Sequence, residues 1–197
     1  MKIVLRGGVE LEDPLGTTIE FVEAYPGYDA ADSRPRSFDE SDLRHANRGG
    51  ARISAAQIAA ILERRRRIER ALRSIPPDAS LADADIPWRP LTRLFDAFAD
   101  ISGVGFSKMT KALHPKRPAL IPMLDSVVQA YLAVDASPAS FGERATTLVE
   151  SYKQDLDRNL AALRQIQREL DSRGYRPLTE VRILDVLVWS AYAPTGR

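Results

Sequence analysis

The amino-acid sequence predicts a mainly α-helical protein with a short N-terminal β arm. Apolar residues recur at helical spacing through most of the chain, and capping signals precede several of these stretches. Only residues 1–23 alternate apolar and polar positions as a half-buried strand does. We therefore expect a β arm with its loop in residues 1–36, packed on a helical domain in residues 37–197.

The β arm is expected to hold two or three short strands. Its apolar positions include Ile3, Leu5, Ile19 and Phe21, and glycine and proline residues interrupt the alternation. Residues 24–37 are rich in proline, glycine, aspartate and serine, a composition typical of a loop. This loop is expected to separate the arm from the helices.

Capping signals and apolar spacing predict the helices that follow. Three pairs have capping-box spacing, in which two side chains satisfy orphan backbone N–H groups: Ser37 with Glu40, Ser54 with Gln57, and Ser140 with Glu143. The helices that they begin are predicted to reach Leu43, Arg73 and Ser172. Apolar spacing predicts further helices near residues 91–98, 106–114 and 179–193.

Composition excludes several kinds of site. The chain has 28 basic and 27 acidic residues, so a net charge of +1 gives no general argument for a nucleic-acid partner. Cysteine is absent, which excludes disulfides, thiol nucleophiles and cysteine-bound metal clusters. His45 and His114 are too few for a three-histidine zinc site, and we expect no metal and no cofactor. No apolar run has the length of a secretory signal or a membrane span, which predicts a cytoplasmic protein without a membrane partner.

Residues 101–105, Ile-Ser-Gly-Val-Gly, predict a tight turn between two helices. Gly103 and Gly105 permit a positive φ and close approach of another backbone, while Val104 can pack back into the hairpin. The first N–H groups of the second helix lack intrahelical partners and carry the positive end of the helix dipole. The turn is therefore a candidate phosphate site.

Positive charge is concentrated after this turn. Residues 103–118 contain no acidic residue and several basic ones: Lys108, Lys111, His114, Lys116 and Arg117. Together with Ser107 and the turn, this segment is expected to bind a nucleic-acid backbone without reading its sequence, in a manner that weakens with salt. The alternative is a solvated helix face after an ordinary glycine turn.

The segment from Gly103 to Val128 resembles the hairpin-plus-aspartate core of the helix-hairpin-helix DNA glycosylase superfamily. In that family an essential aspartate follows the second hairpin glycine by about twenty residues, after a Pro/Gly loop, and Asp125 lies 20 residues after Gly105. The resemblance implies a catalytic Asp125 and DNA phosphates bound at the hairpin. Ser107 stands where lyase-active members carry their Schiff-base lysine, so the resemblance implies a monofunctional glycosylase.

A carboxylate beside the anomeric carbon would stabilise an oxocarbenium-like transition state or deprotonate the attacking water. The target base would be flipped into a pocket with aromatic walls, for which the candidates are Trp88, Phe95, Phe106, Tyr131 and Trp189. Arg65 falls within the apolar arc of its helix, so it must pair with an acid, snorkel or line a cleft. The alternative for Asp125 is an ordinary helix N-cap without catalysis.

These residues predict a DNA-binding helix-hairpin-helix protein, and the resemblance extends this to a DNA glycosylase. The sequence leaves the oligomeric state open and favours a monomer. Two other functions stay open at this point. One is a non-catalytic nucleic-acid-binding module that keeps the hairpin, and the other is a protein-interaction or regulatory domain without nucleic acid.

Overall fold

The N-terminal arm is a two-stranded antiparallel hairpin. The structure is a computed structural model that describes residues 2–25, 29, 34–133 and 139–193. Strands β1 (Ile3–Val4) and β2 (Glu10–Leu11) are joined by a 3₁₀ turn, Arg6–Gly8. Ile3 pairs with Leu11 and is fully buried in the same apolar core as the helices. The predicted β arm is therefore confirmed in its first part.

The rest of the arm is a helix. Helix α1 (Pro14–Ala24) begins at the N-cap Asp13, whose Oδ1 accepts a first-turn backbone N–H at 2.9 Å. Pro14 occupies the first helical position, where a missing N–H removes no hydrogen bond. The prediction of a further strand across Ile19 and Phe21 was wrong, because the cap and the proline outweigh the two-residue spacing of these side chains.

The next helix confirms one prediction and corrects its cap. Helix α2 (Glu40–Arg48) begins at Asp39, which forms a capping box with Asp42. Ser37 and Glu40 had been predicted to form that box. The N-cap is instead the aspartate two residues later, which satisfies the same orphan N–H groups and carries a charge that suits a helix N-terminus.

The amphipathic stretch from Ser54 to Arg73 forms two helices. Helix α3 (Ala55–Glu63) begins with the predicted capping box of Ser54 and Gln57. Arg64 then leaves helical geometry, with φ −93° and ψ 5°, and α4 (Arg65–Arg73) follows. The prediction of one continuous helix was therefore wrong, but its apolar face is confirmed, because Ile61, Ile68 and Leu72 are all buried.

A helical hairpin follows, as predicted. Helix α5 (Trp88–Asp96) and helix α6 (Phe106–Leu113) flank the turn. The Val104 N–H donates to the Ile101 carbonyl at 3.0 Å, and Gly103 has a φ of 70°. Val104 is only 5% exposed, which confirms that it packs back into the hairpin.

Three helices complete the described chain. Helix α7 (Ser126–Leu132) is short, helix α8 (Phe141–Ser172) is long, and helix α9 (Glu180–Tyr192) is last. The predicted capping box of Ser140 and Glu143 begins α8. Helix α8 packs along α5 and α9, and α9 is buried from Val181 to Val188. Among the described helices, none combines the length and apolar composition that crossing a membrane requires.

Candidate functional site

A cleft of about 320 Å³ opens between α1, the end of α2, the start of α7 and α9. Aromatic side chains form one wall. The Phe21 ring lies 4.9 Å from the Tyr25 ring and 6.1 Å from the Trp189 ring, measured between centroids. Tyr25 and Trp189 are exposed, so a planar ligand can stack on this wall without displacing core residues.

Asp125 lies at the other side of this cleft. It is the N-cap of α7, and its Oδ1 accepts the N–H groups of Val127 and Val128, each at 3.0 Å. Neither bond uses Oδ2. The residue is half-buried, so the carboxylate is held rigidly at a helix N-terminus yet stays open to the cleft.

The extended segment before Asp125 is fixed by side chains from α9, from α6 and from the residue that ends α6. The Asp185 Oδ2 accepts the Met123 N–H at 3.0 Å, and the Thr110 Oγ1 accepts the Leu124 N–H at 3.0 Å. The His114 Nδ1 lies 2.6 Å from the Ile121 carbonyl oxygen. Since α6 and α9 both anchor this segment, the position of Asp125 is set by tertiary structure as well as by its own cap.

Lys111 reaches the same cleft from α6. Its Nζ donates to the Gly49 carbonyl at 3.1 Å, and it is half-buried. Burial lowers the pKa of Lys111, while the negative charge of Asp125 acts in the opposite direction. Lys111 lies four residues after Ser107, one helical turn along the same face. Lys111 and Asp125 thus line the same cleft, and the charge of Asp125 acts on the Lys111 amine without a direct ion pair.

Two lysines of α6, three residues apart and so on one side of the helix, connect the hairpin turn to the cleft. The Lys108 Nζ donates to the Gln57 Oε1 at 2.8 Å, and the Gln57 Nε2 donates to the Ser102 carbonyl at 3.1 Å. Lys111, one turn later, contacts Gly49. The chain from Gly49 to Gln57 thus runs beside α6 from the cleft to the turn. Gly105 and Lys111 are separated by about 9 Å along the helix axis.

Two residues of the predicted basic patch are structural. Lys116 is 3% exposed, and its Nζ lies 2.6 Å from the Asp42 Oδ1. Arg117 is fully buried, and its guanidinium donates to four backbone carbonyls. Placing them on a DNA-binding surface was wrong, because a run of basic residues in the sequence does not show which of them have buried partners.

The cationic surface that remains has a different composition. Lys108 and Lys111 belong to it, and two exposed arginines add to it. Arg48 lines the cleft, and Arg52 lies close enough to lower the pKa of Lys111, although burial has the larger effect. Sequence reasoning missed both arginines because they precede the hairpin by about 50 residues. His114 adds no charge at neutral pH, because burial lowers its pKa to about 4.

The predicted pocket residues lie elsewhere, except for Trp189. Trp88 lines a shallow depression beside residues 76–87. Phe106 stacks on Phe141 at 4.8 Å. The Tyr131 hydroxyl accepts the Arg6 N–H at 3.0 Å. Arg65 is exposed and pairs with Glu69 at 2.9 Å, so of the three predicted outcomes it takes the pairing with an acid. Phe95 is part of the core.

Comparison with known proteins gives a family without an assigned activity. The model of the family of unknown function DUF6308 matches residues 15–192. The chain belongs to DUF6308. No curated protein and no solved structure gives a significant match. The matched residues include the aromatic wall, Asp125 and the helical hairpin, so the whole cleft lies within the DUF6308 region.

This DUF6308 chain places a second carboxyl group, which sequence reasoning missed, beside the cleft. Asp185 is 2% exposed, and its Oδ1 has no hydrogen-bond partner among the described residues. Burial raises the pKa of Asp185 to about 7, against the opposing effect of Arg182. The Tyr152 hydroxyl, on α8, donates to the Val181 carbonyl and not to this Oδ1 atom. Asp185 thus holds a proton through much of the acidic range, while it positions the Met123 amide.

The buried proton on Asp185 predicts that the stability difference between the wild-type DUF6308 chain and an Asp185→Asn variant depends on pH. The folded pKa is about 7 and the ordinary value is 3.8, so folding takes up a proton between these limits. The contribution of Asp185 to stability is present at low pH and falls as pH rises, by about 1.4 kcal/mol per pH unit. Asp185→Asn removes this fall. The free energy of unfolding of the variant, relative to wild type, should therefore rise with pH by about that slope.

Urea unfolding at several pH values within this window measures the difference. His114 contributes a slope of opposite sign below its ordinary pKa, but it is present in both proteins and cancels in the comparison. Asp171→Asn, at the exposed end of α8, is the matched control and should keep the wild-type slope. Parallel curves for Asp185→Asn and wild type would show that Asp185 is ionised in the folded chain.

Proposed function

We propose that this protein is a monofunctional DNA glycosylase-like hydrolase. It binds duplex DNA through the helical hairpin and hydrolyses the N-glycosidic bond of a nucleotide flipped into the aromatic cleft. One observation carries the proposal: the Asp125 carboxylate opens into an aromatic-walled cleft that is also lined by Lys111 of α6, the helix that begins at the exposed glycine turn. The resemblance of the Gly103 to Asp125 segment to the glycosylase core supports the same assignment.

The hairpin supplies the phosphate contacts. Gly103 and Gly105 are exposed, and α6 begins at Phe106 with no side-chain cap. Its first N–H groups therefore suit a phosphate oxygen, with the Ser107 hydroxyl and the Lys108 ammonium nearby. The separation of about 9 Å between this turn and Lys111 corresponds to about three base-pair steps along DNA. A phosphate at the turn thus leaves the cleft within reach of a nearby nucleotide.

The cleft supplies the base pocket. Its volume of about 320 Å³ lies at the lower end of the range for ligand sites in proteins, which suits a single base. Phe21, Tyr25 and Trp189 present ring faces and edges to the ligand. Stacking on such faces compensates for the stacking that a flipped base loses in the duplex.

Asp125 supplies the charge that the reaction needs. Cleavage of the N-glycosidic bond develops positive charge on the sugar, and the electron pair of the bond leaves with the base. The Asp125 carboxylate stabilises this charge and takes the proton of the water that attacks the anomeric carbon. Lys111 is a neighbouring amine, but it lies one turn beyond the position of the family's Schiff-base lysine, so we assign no lyase step to it.

Base release from modified duplexes tests the proposal. Purified protein is incubated with short duplexes that each carry one uracil, hypoxanthine, N7-methylguanine or adenine opposite 8-oxoguanine. Abasic product is measured by alkaline strand cleavage, and binding is measured at several salt concentrations. We expect base release from at least one duplex, and binding that weakens as salt rises.

Two results would contradict the proposal. Duplex binding without base release from any member of the panel would contradict the catalytic part and favour a non-catalytic DNA-binding module. Failure to bind any duplex at low ionic strength would contradict the DNA-binding part, because backbone contacts are strongest there.

A further inference from the structure

A second cavity adjoins the aromatic cleft. Its volume is about 190 Å³, and it lies between the end of α2, the end of α6 and the start of α9. The two cavities share four lining residues: Gly49, Lys111, Met123 and Arg182. A ligand that fills the cleft can therefore extend into the second cavity past the side chains of Lys111 and Arg182.

The lining of the second cavity is positively charged. Among the described residues, Lys111, Arg176 and Arg182 line it against one carboxylate, Asp29. The Arg182 Nε donates to the Asp29 Oδ1 at 2.7 Å. Lys111 and Arg176 have no carboxylate within salt-bridge distance in the described part of the chain. His45 and the neutral His114 complete the polar lining. The described part of the lining thus carries excess positive charge.

The start of α9 adds to this charge. Thr179, the N-cap of this 13-residue helix, lines the cavity. Its Oγ1 accepts the Arg182 N–H at 3.1 Å, so the cap at the positive end of the α9 dipole lies at the cavity. Lysine and arginine side chains without a carboxylate partner, beside a helix N-terminus at one cavity, are features that suit a phosphate group.

We propose that the second cavity binds the phosphate of the nucleotide whose base occupies the aromatic cleft. The inference rests on the proposed function, because it takes the cleft as the base pocket. Phosphate is favoured over a carboxylate since the guanidinium of Arg176, the ammonium of Lys111 and the helix N-terminus offer donors from several directions. Phosphate bound here and phosphate bound at the hairpin would lie on opposite sides of the flipped nucleotide.

Affinity for a nucleoside and for its phosphate separates this proposal from its alternatives. The full chain is titrated calorimetrically with a deoxynucleoside, with the corresponding 5′-monophosphate and with inorganic phosphate, at low salt. We expect the monophosphate to bind at least about tenfold more tightly than the nucleoside. Arg176→Met should abolish this difference. Arg173→Met removes the same charge from a residue outside the cavity and should leave the difference intact.

The titrations and the base-release assay separate the phosphate site from the glycosylase activity. Equal affinities of wild type for nucleoside and monophosphate, no binding of either, or an unchanged ratio in Arg176→Met would overturn the phosphate site. A duplex that fails to displace the monophosphate would show that the site takes free nucleotides and not DNA, against the proposal. Absence of base release with an intact phosphate-dependent difference would overturn the glycosylase activity alone.

Discussion

Replacing Asp125 by asparagine is expected to reduce base release by at least about 100-fold while duplex binding stays at the wild-type level. Asparagine keeps the shape of the side chain, and its Oδ1 can still accept the N–H groups of Val127 and Val128. It carries no negative charge and cannot take the proton of the attacking water. Single-turnover assays on the duplex that the wild type cleaves best, with protein in excess, measure the chemical step directly.

A second N-cap aspartate provides the control for this variant. Asp13 caps α1 through the same kind of contact, a backbone N–H donating to Oδ1, but it lies outside the cleft. Asp13→Asn should therefore keep full activity, with the same small change in thermal stability as Asp125→Asn. Full activity of Asp125→Asn would show that this residue is a structural cap only. Equal loss in both variants would mean that the effect comes from the fold.

Features encoded in neighbouring residues were predictable from the sequence. The capping boxes at Ser54 and Ser140, the hairpin turn and the N-cap role of Asp125 each depend on contacts within a few residues. The alternation of apolar and polar residues in the N-terminal arm was also a local signal, yet it predicted a strand where helix α1 forms. There, Asp13 followed by Pro14 was the stronger local signal, and it was present in the sequence.

The cleft could not be predicted because its parts come from distant segments. Phe21 and Trp189 meet although they are 168 positions apart in the sequence. Asp185 lies within an almost continuous apolar run, where a single acidic residue does not show whether it is buried, paired or at a site. The aromatic candidates near the hairpin were chosen by their proximity in sequence, and Phe106 and Tyr131 make contacts away from the cleft.

The basic residues of segment 103–118 show that the sequence also does not reveal which charged side chains are buried. Lys108 and Arg117 have the same formal charge and lie nine positions apart. Lys108 is only half-buried, whereas Arg117 is fully buried. The partners of Arg117 include the carbonyls of Leu72 and Ile75, which no local pattern brings to it. Burial of a charge is decided by such tertiary acceptors, so residue type alone overestimates a cationic surface.

Arg117→Met is expected to lower the free energy of unfolding by about 3 kcal/mol or more. The Arg117 Nη1 donates to the Pro35 carbonyl at 2.7 Å and to the Lys116 carbonyl at 2.6 Å, and its Nη2 donates to two carbonyls of the α4 end, each at 2.7 Å. Methionine fills much of the same space but donates no hydrogen bond, so four acceptors lose a donor in a buried site. Urea unfolding at neutral pH measures the loss.

The matched control for Arg117→Met is Arg66→Met, which removes an equal charge from the exposed face of α4. That variant should stay within about 0.5 kcal/mol of wild type, because a surface charge contributes little to stability. Arg117 also joins the loop before Asp125 to the end of α4 and to Pro35, so its loss should loosen the segment that carries the aspartate. Equal stabilities of Arg117→Met and Arg66→Met would show that solvent reaches these carbonyls and that Arg117 is free to act at the surface.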